Sequence, residues 1–342
     1  MSLLVINADR FGGHTPPPGH PERPERQDVM HVVAERRRER GATMVKPTPA
    51  SVEQVLRVHT AAFVERLESA AGTAVMLDPD TFTSPESWDV TRLAAGAAVL
   101  AVDAVLDGAT LRAAALVRPP GHHSGPDRAR GFCLLNNVAV AAAQALARHV
   151  PRVAVVDFDV HHGNGTQEIF EADPRVLYVS THQWPFYPGG GLATEVGVGR
   201  GEGFTVNVPI ERGATDGDYD VVFRDVVGPI VRLFSPGLVL VSAGFDAHER
   251  DPLGGMRMSD AGFARVTRHL VNAADECCGG RMVLVTEGGY DLEAFAASLD
   301  AALDVIAGRE PLPAADVLEP PTRGLAAAAQ ARAVQARYWR GL

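Results

Sequence analysis

Cysteine is scarce: Cys133, Cys277 and Cys278 are the only three in 342 residues. They form neither a C-x-x-C pair nor an even framework, which excludes a disulfide scaffold and predicts a reducing, cytoplasmic compartment. Net positive charge is missing as well. With 32 Lys+Arg against 42 Asp+Glu the chain carries −10, so a broad electrostatic nucleic-acid footprint is not expected. No apolar run reaches the ~18 residues that a membrane span needs. The Ala-rich stretches 93–106 and 138–147 are broken by Asp103 and Gln144 and read as core-facing helices. Met1 to Asn7 holds one apolar run with no basic segment, so no signal peptide is predicted. There is no repeat of fixed period.

What is present is ordinary globular material, 46% hydrophobic and 22% charged. A first strand is predicted at 3–6, then a Pro/Gly/His-rich loop over 9–25 and a helix over 26–40. A loop over 76–85 precedes a long helix, 86–106. After it, strands at 113–118, 153–157, 176–180, 204–208, 238–242 and 282–286 alternate with helices at 136–149, 165–172, 217–234, 259–276 and 291–306. A second long loop covers 181–203. A Pro/Ala-rich tail ends in a helix over 323–340. Such alternation, with near-continuous apolar strands, predicts an α/β fold: a central parallel sheet with helices on both faces, formed by 1–342 as one domain.

In a parallel sheet the strand ends share one edge, where ligands bind. Strand 113–118 delivers His122 and His123 to that edge. Strand 153–157 delivers Asp157, Asp159 and His161. Strand 238–242 delivers Asp246, and strand 282–286 delivers Tyr290. An extended backbone through Asp159 and His161 would put both side chains on one face. Two carboxylates and one imidazole make a three-ligand site with an open position, the catalytic pattern for zinc. The metal would polarise a carbonyl and acidify water. His122 and His123 are then candidate proton carriers. Asp157 is placed to hold one histidine ring, and Asn164 the other as a neutral partner that leaves it less basic. Tyr290, after Gly288-Gly289, can reach a developing oxyanion. The sum is metal-assisted amide hydrolysis.

The segments Arg118-Pro-Pro-Gly-His-His-Ser124, Gly131-Phe-Cys-Leu-Leu-Asn136, Asp157-Phe-Asp-Val-His-His-Gly-Asn-Gly-Thr166, Gly244-Phe-Asp-Ala-His-Glu-Arg-Asp-Pro-Leu253 and Glu287-Gly-Gly-Tyr290 follow His20-Pro-Glu-Arg-Pro-Glu-Arg26 in order. Together they resemble the zinc-dependent histone deacetylase superfamily, which includes class II-like bacterial deacetylases, acetylpolyamine amidohydrolases and acetoin-utilisation-type proteins. The resemblance implies an arginase/deacetylase-like fold. It implies zinc on Asp159, His161 and Asp246, with His122 and His123 as the tandem acid/base pair and Tyr290 as the carbonyl-polarising residue. It also implies an acyl-lysine channel walled by Phe132 and Tyr187, with Gly131 and Leu253 as further channel positions. Tyr187 stands where the family more often has Phe, and Ser124 where it commonly has Ala. A potassium ion is implied near Asp157, Asp159, His161 and Ser180, and a second near Phe170, Asp173, Val176 and Phe204.

Several residues carry two readings. Asp80 either contacts the substrate backbone or caps the next turn. Arg26 either reaches the pocket floor or forms a surface salt bridge. His248 and Gly163 fall where arginase-like two-metal enzymes need extra ligands, and Gly163 has no side chain to offer, so one metal is expected. The expected reaction is hydrolysis of an N-acetyl amide, with an acetyl-lysine protein or peptide as partner. An acetylated polyamine is the alternative. A catalytically dead acyl-ligand sensor ranks last, because it predicts loss of a zinc ligand, a tandem histidine or Tyr290, and all are present.

Overall fold

The computed structural model of the chain describes residues 3–309 and 318–342. The Pro/Ala-rich stretch 310–317 and the first two residues lie outside the described residues. Among the described residues ten strands form two sheets. They are β1 (Leu3–Ile6), β2 (Thr43–Val45), β3 (Met76–Asp78), β4 (Thr81–Phe82), β5 (Arg112–Ala115), β6 (Val153–Asp157), β7 (Val176–Gln183), β8 (Thr205–Ile210), β9 (Leu238–Ala243) and β10 (Met282–Thr286). Eight build one sheet in the order β2-β1-β5-β10-β9-β6-β7-β8. Every pairing in it is parallel.

Both faces of this sheet are covered, and the strand period shows how. In β6, Ala154 and Val156 join one apolar cluster while Val153 and Val155 join the other. In β10, Met282 and Leu284 point one way, Val283 and Val285 the other. Alternate side chains of a strand face opposite sides, so near-continuous apolar strands are what a doubly covered sheet requires. Helices α1 (Glu25–Glu39), α2 (Val52–Val55), α3 (Ala61–Ser69), α4 (Ser87–Leu106) and α5 (Asn137–Ala147) lie along the first half of the chain. Those that follow are α6 (Asn164–Phe170), α7 (Asp216–Val222), α8 (Gly228–Phe234), α9 (Asp260–Cys278), α10 (Leu292–Ile306) and α11 (Thr322–Gln335). Residues of α3, α4 and α5 fill one face; those of α1 and α7 to α11 fill the other. Among the described residues no helix is long and apolar enough to cross a membrane. All three cysteines are free thiols.

Four local expectations need correction. The segment 76–85 is not a plain loop: β3 and β4 pair antiparallel. The Asp78 carboxylate accepts the Asp80 N–H at 3.0 Å, an Asx turn that closes the hairpin. The helix expected over 217–234 is interrupted by a π-helical turn at Phe223–Val227, two residues before Pro229, which has no N–H for a regular helix bond. Strand β7 runs to Gln183, because Thr181 to Gln183 pair with Val208 to Ile210 of β8. Strand β2 is an addition to the expected strands; its three partly exposed residues give no period to read.

The loop 9–25 is tied down by buried charge. Glu22 accepts two bonds from the Arg118 guanidinium, both 2.8 Å, and one from Arg26 at 3.2 Å. All three side chains are fully buried. Burial opposes ionisation of Glu22, but Arg118 first, helped by Arg26, holds its carboxyl down at about 2. Burial pushes His14, 3.5 Å from the same carboxylate, down to about 4. His14 is therefore neutral near pH 7, and the arginines carry the pairing. Removing Glu22 would leave two buried cations unpaired, the costly way to break such a cluster.

Candidate metal centre

Four loops leave the C-terminal ends of β5, β10, β9 and β6, which are consecutive in the sheet. Each delivers one part of the site. Beyond β6 the chain does not stay extended through Asp159 and His161, as the sequence suggests it would. It turns, and the Asp159 carboxylate accepts the His161 N–H at 2.9 Å. This local turn, rather than a strand face, brings both side chains to one point. His161 Nδ1 lies 3.1 Å from Asp159 Oδ1 and 3.1 Å from Asp246 Oδ2. Among the described residues these three form the one group whose ligand atoms all lie within 4.8 Å. His248 stays outside it, beside Asp260 at 3.4 Å.

The donor set fits a divalent cation. Asp159 and Asp246 are buried and carry two negative charges side by side. Their charged side-chain neighbours are imidazoles, and among the described residues no Lys or Arg pairs with either. Burial, and then the Asp159 charge, push the Asp246 carboxyl above its ordinary range. A buried pair of like charges is favourable only with a cation between them. Backbone N–H groups fix the outer geometry: Val160 N donates to Asp246 at 2.9 Å, and Gly288 N to Asp159 at 2.9 Å. Gly288 approaches so closely that an added Cβ would sit 2.6 Å from Asp159 Oδ2. Glycine there is a steric requirement of the cluster.

The tandem histidines stand beside it, ring centroids 4.0 Å apart. His122 Nδ1 meets Asp157 Oδ2 at 3.0 Å; His123 Nδ1 meets Asn164 Oδ1 at 3.0 Å. Burial opposes protonation of both rings. For His122 the carboxylates of Asp157, then Asp159, outweigh it and raise the ring to about 10. For His123 burial wins, aided by the positive neighbours His122 and His161, and the ring is held well below its usual value. A cation on the triad opposes the Asp159 contribution. The ordering then rests on the partners, a carboxylate for His122 and an amide for His123. Tyr178, which sits mid-strand with no motif to flag it, donates to Asp157 at 3.1 Å and keeps that carboxylate oriented.

Tyr290 closes the site from β10. Its N–H donates to Asp251 Oδ2 at 2.6 Å, and Leu253 N donates to Asp251 Oδ1 at 2.9 Å. Asp251 thereby joins the tyrosine to the channel wall, and no spacing in the sequence announces it. The Arg26 guanidinium lies 5.0 Å over the Tyr290 ring. It donates to Gly289 O at 2.8 Å and to Glu287 O. Arg26 is thus buried beneath the site and makes no surface salt bridge. Burial holds the Tyr290 hydroxyl well above its ordinary pKa, so it keeps its proton as a donor.

A channel of about 190 Å³ leads from the surface to these groups. Phe132, Phe186, Tyr187, Leu253 and Gly131 wall it, with Asp80 at the rim and His122, His123, His161 and Tyr290 toward its inner end. Phe186 is an addition to the expected wall: it stacks on His161 at 5.3 Å and 17°, while Tyr187 stands edge-on to His123 at 5.2 Å. Gly131 and Phe132 both have positive φ, 57° and 68°. Phe132 in that conformation is strained. It is held by Phe132 N donating to Thr81 Oγ1 at 3.0 Å and Gly131 N to Asp80 Oδ1 at 3.2 Å. Asp80 therefore braces the channel wall. Cys133 is buried, with its thiol toward Gly131 O. For the implied potassium residues, the strand register sets Asp157 opposite Ser180, whose hydroxyl bonds His182 at 2.9 Å.

Comparison with known proteins agrees with this geometry. A model of the histone deacetylase domain matches residues 20–306. A probable deacetylase of Archaeoglobus fulgidus is 40% identical over 299 residues, covering 86% of this chain and 82% of that protein. A histone deacetylase-like amidohydrolase of Pseudomonas aeruginosa is 42% identical over 294 residues, covering 82% and 75%. The human polyamine deacetylase HDAC10 is 40% identical over 346 residues, covering 94% of this chain but 50% of its own length. Among solved structures, the HDA15 HD domain superposes with a TM-score of 0.93 at 38% identity, covering 99% and 97%. The family is zinc-dependent, and the Asp159–His161–Asp246 cluster supplies a site for such an ion. From the strand ends to the domain match, the observations converge: this chain belongs to the histone deacetylase family, as a hydrolytic deacetylase or amidohydrolase.

Proposed function

We propose that residues 1–342 form a single catalytic domain that binds zinc on Asp159, His161 and Asp246 and hydrolyses acetyl-lysine in proteins or peptides. The observation that carries this reading is the narrow, largely apolar channel ending on that cluster and on His122, His123 and Tyr290. Its volume of about 190 Å³ and its aromatic and aliphatic lining suit an unbranched alkyl chain with a small acyl group. Leu253 offers no carboxylate to a distal ammonium, which favours acyl-lysine over a polyamine.

The bound ion supplies Lewis-acid polarisation of the acyl carbonyl and acidifies water. The residues do the rest. His123 donates its Nδ1–H to Asn164, which leaves the Nε2 lone pair free to accept the proton of the attacking water. The water oxygen bonds to the acyl carbon, and the Tyr290 hydroxyl donates to the developing oxyanion. His122, held cationic by Asp157, offsets the growing negative charge. The C–N bond then breaks. His123 returns its proton to the departing amine, leaving a carboxylic acid and a free amine; the acid then gives up its proton to the amine, so the products near neutrality are a carboxylate and an ammonium. Aromatic and aliphatic walls hold the substrate stem and exclude water.

The reading includes a potassium ion at Asp157, Asp159, His161 and Ser180. The three free thiols suit a reducing compartment, here the cytoplasm. A second reading, acetylpolyamine hydrolysis, draws support from the likeness to the human polyamine deacetylase. Initial rates of the zinc-loaded protein on an acetyl-lysine peptide and on an N-acetylated polyamine separate the two. The peptide is expected to have the higher kcat/KM by tenfold or more, about 1.4 kcal/mol of discrimination. A reversed preference moves the function to small-molecule metabolism. Binding of both without turnover of either would leave a sensor.

A further inference from the structure

Glu287 is the first residue after β10, three residues before Tyr290, and it is fully buried. It follows the apolar strand Met282–Thr286, takes no part in the metal cluster and does not line the channel. Its carboxylate reaches sideways to both neighbouring strands of the sheet. Oε2 accepts Gly121 N at 2.6 Å and His122 N at 3.1 Å, in the loop after β5. Oε1 accepts the Ser242 hydroxyl of β9 at 2.7 Å. Among the described residues neither of those two N–H groups has another acceptor. Its own backbone is fixed too: Glu287 N donates to Ala243 O at 2.8 Å, and Glu287 O accepts from Arg26.

We propose that Glu287 is a positioning residue for catalysis, a buried tie that sets the His122–His123 turn in register with the Tyr290 loop. A buried carboxylate is costly unless its oxygens are satisfied, and here three donors satisfy them. Two of those donors belong to the histidine turn, and the carboxylate belongs to the loop after β10 that carries the tyrosine. Proton carrier and oxyanion donor must sit within a fraction of an ångström of one geometry around the acyl carbon. Glu287 joins the two elements that supply them by one rigid side chain. This rests on the function proposed above.

The test uses the zinc-loaded protein and an acetyl-lysine peptide, with kcat, KM, zinc content and thermal midpoint read for each variant. In E287A the two N–H groups lose their acceptor. Its kcat should fall roughly 30- to 100-fold, with KM within about threefold and zinc retained, as expected for an ångström-scale misplacement. E287Q should recover kcat to within roughly fivefold of wild type. Its amide oxygen still accepts both N–H groups, and its NH2 can donate to Ser242 Oγ. S242A removes only the outer tether and should lower kcat about three- to tenfold at unchanged KM. It keeps the proposal testable even if E287A fails to fold. Wild-type kcat in E287A or S242A overturns the inference, as does an E287Q as slow as E287A. An inactive wild type overturns the function itself, so the two failures are distinguishable.

Discussion

Replacing Tyr290 by phenylalanine should lower kcat on an acetyl-lysine peptide by about 10²- to 10³-fold, the usual effect of removing one oxyanion donor. KM and zinc content should stay near wild type. The reason is in the geometry. The ring is fixed by packing and by the Arg26 guanidinium 5.0 Å away, and the backbone by Asp251. Phenylalanine keeps all of these and removes only the hydroxyl. Because burial holds that hydroxyl protonated, it acts as a donor near neutrality and not as a base. A variant with wild-type turnover would refute the assigned role. One that loses zinc would show that the segment supports the metal rather than the oxyanion.

The second large effect is expected at His123. His123→Ala should reduce kcat by roughly 10³-fold, within the range for loss of a general acid/base. His123 and His122 are adjacent in sequence and 4.0 Å apart as rings, yet their partners differ. Asp157 holds His122 as a cation, which has no lone pair to accept a proton. Asn164 leaves His123 neutral, with Nε2 available. The alanine variant should still bind zinc, since neither histidine belongs to the triad. Turnover within tenfold of wild type, measured on the zinc-replete variant, would mean that the proton passes by another route.

Much of this architecture is legible in the amino-acid order. Apart from β2, the strands of the main sheet read from their apolar runs, and the parallel arrangement follows from their alternation with helices. That arrangement puts the loops after β5, β6, β9 and β10 on one edge, which groups Asp159, His161, Asp246, His122, His123 and Tyr290. What stays hidden depends on distances between loops far apart in the chain. Asp251 bonds the backbone of Tyr290, and Glu287 bonds the backbone of His122; neither contact leaves a spacing to read. Phe186 is one residue from the expected Tyr187, and only the turn of that loop decides that both line the channel. Arg26 is ambiguous in the sequence because an arginine near a helix start is usually solvated. Its burial becomes apparent only once Glu22 and Arg118 are seen around it.

In the proposed function, one zinc ion on Asp159, His161 and Asp246 drives amide hydrolysis in this channel. Elemental analysis of the purified protein, paired with acetyl-lysine turnover before chelation, after chelation and after zinc is restored, tests it most directly; the same analysis reads potassium. One zinc per chain is expected, with loss of turnover in proportion to zinc removed and recovery on addition of one equivalent. Full turnover in the zinc-free protein, or two divalent metal ions per chain in the active preparation, would contradict this.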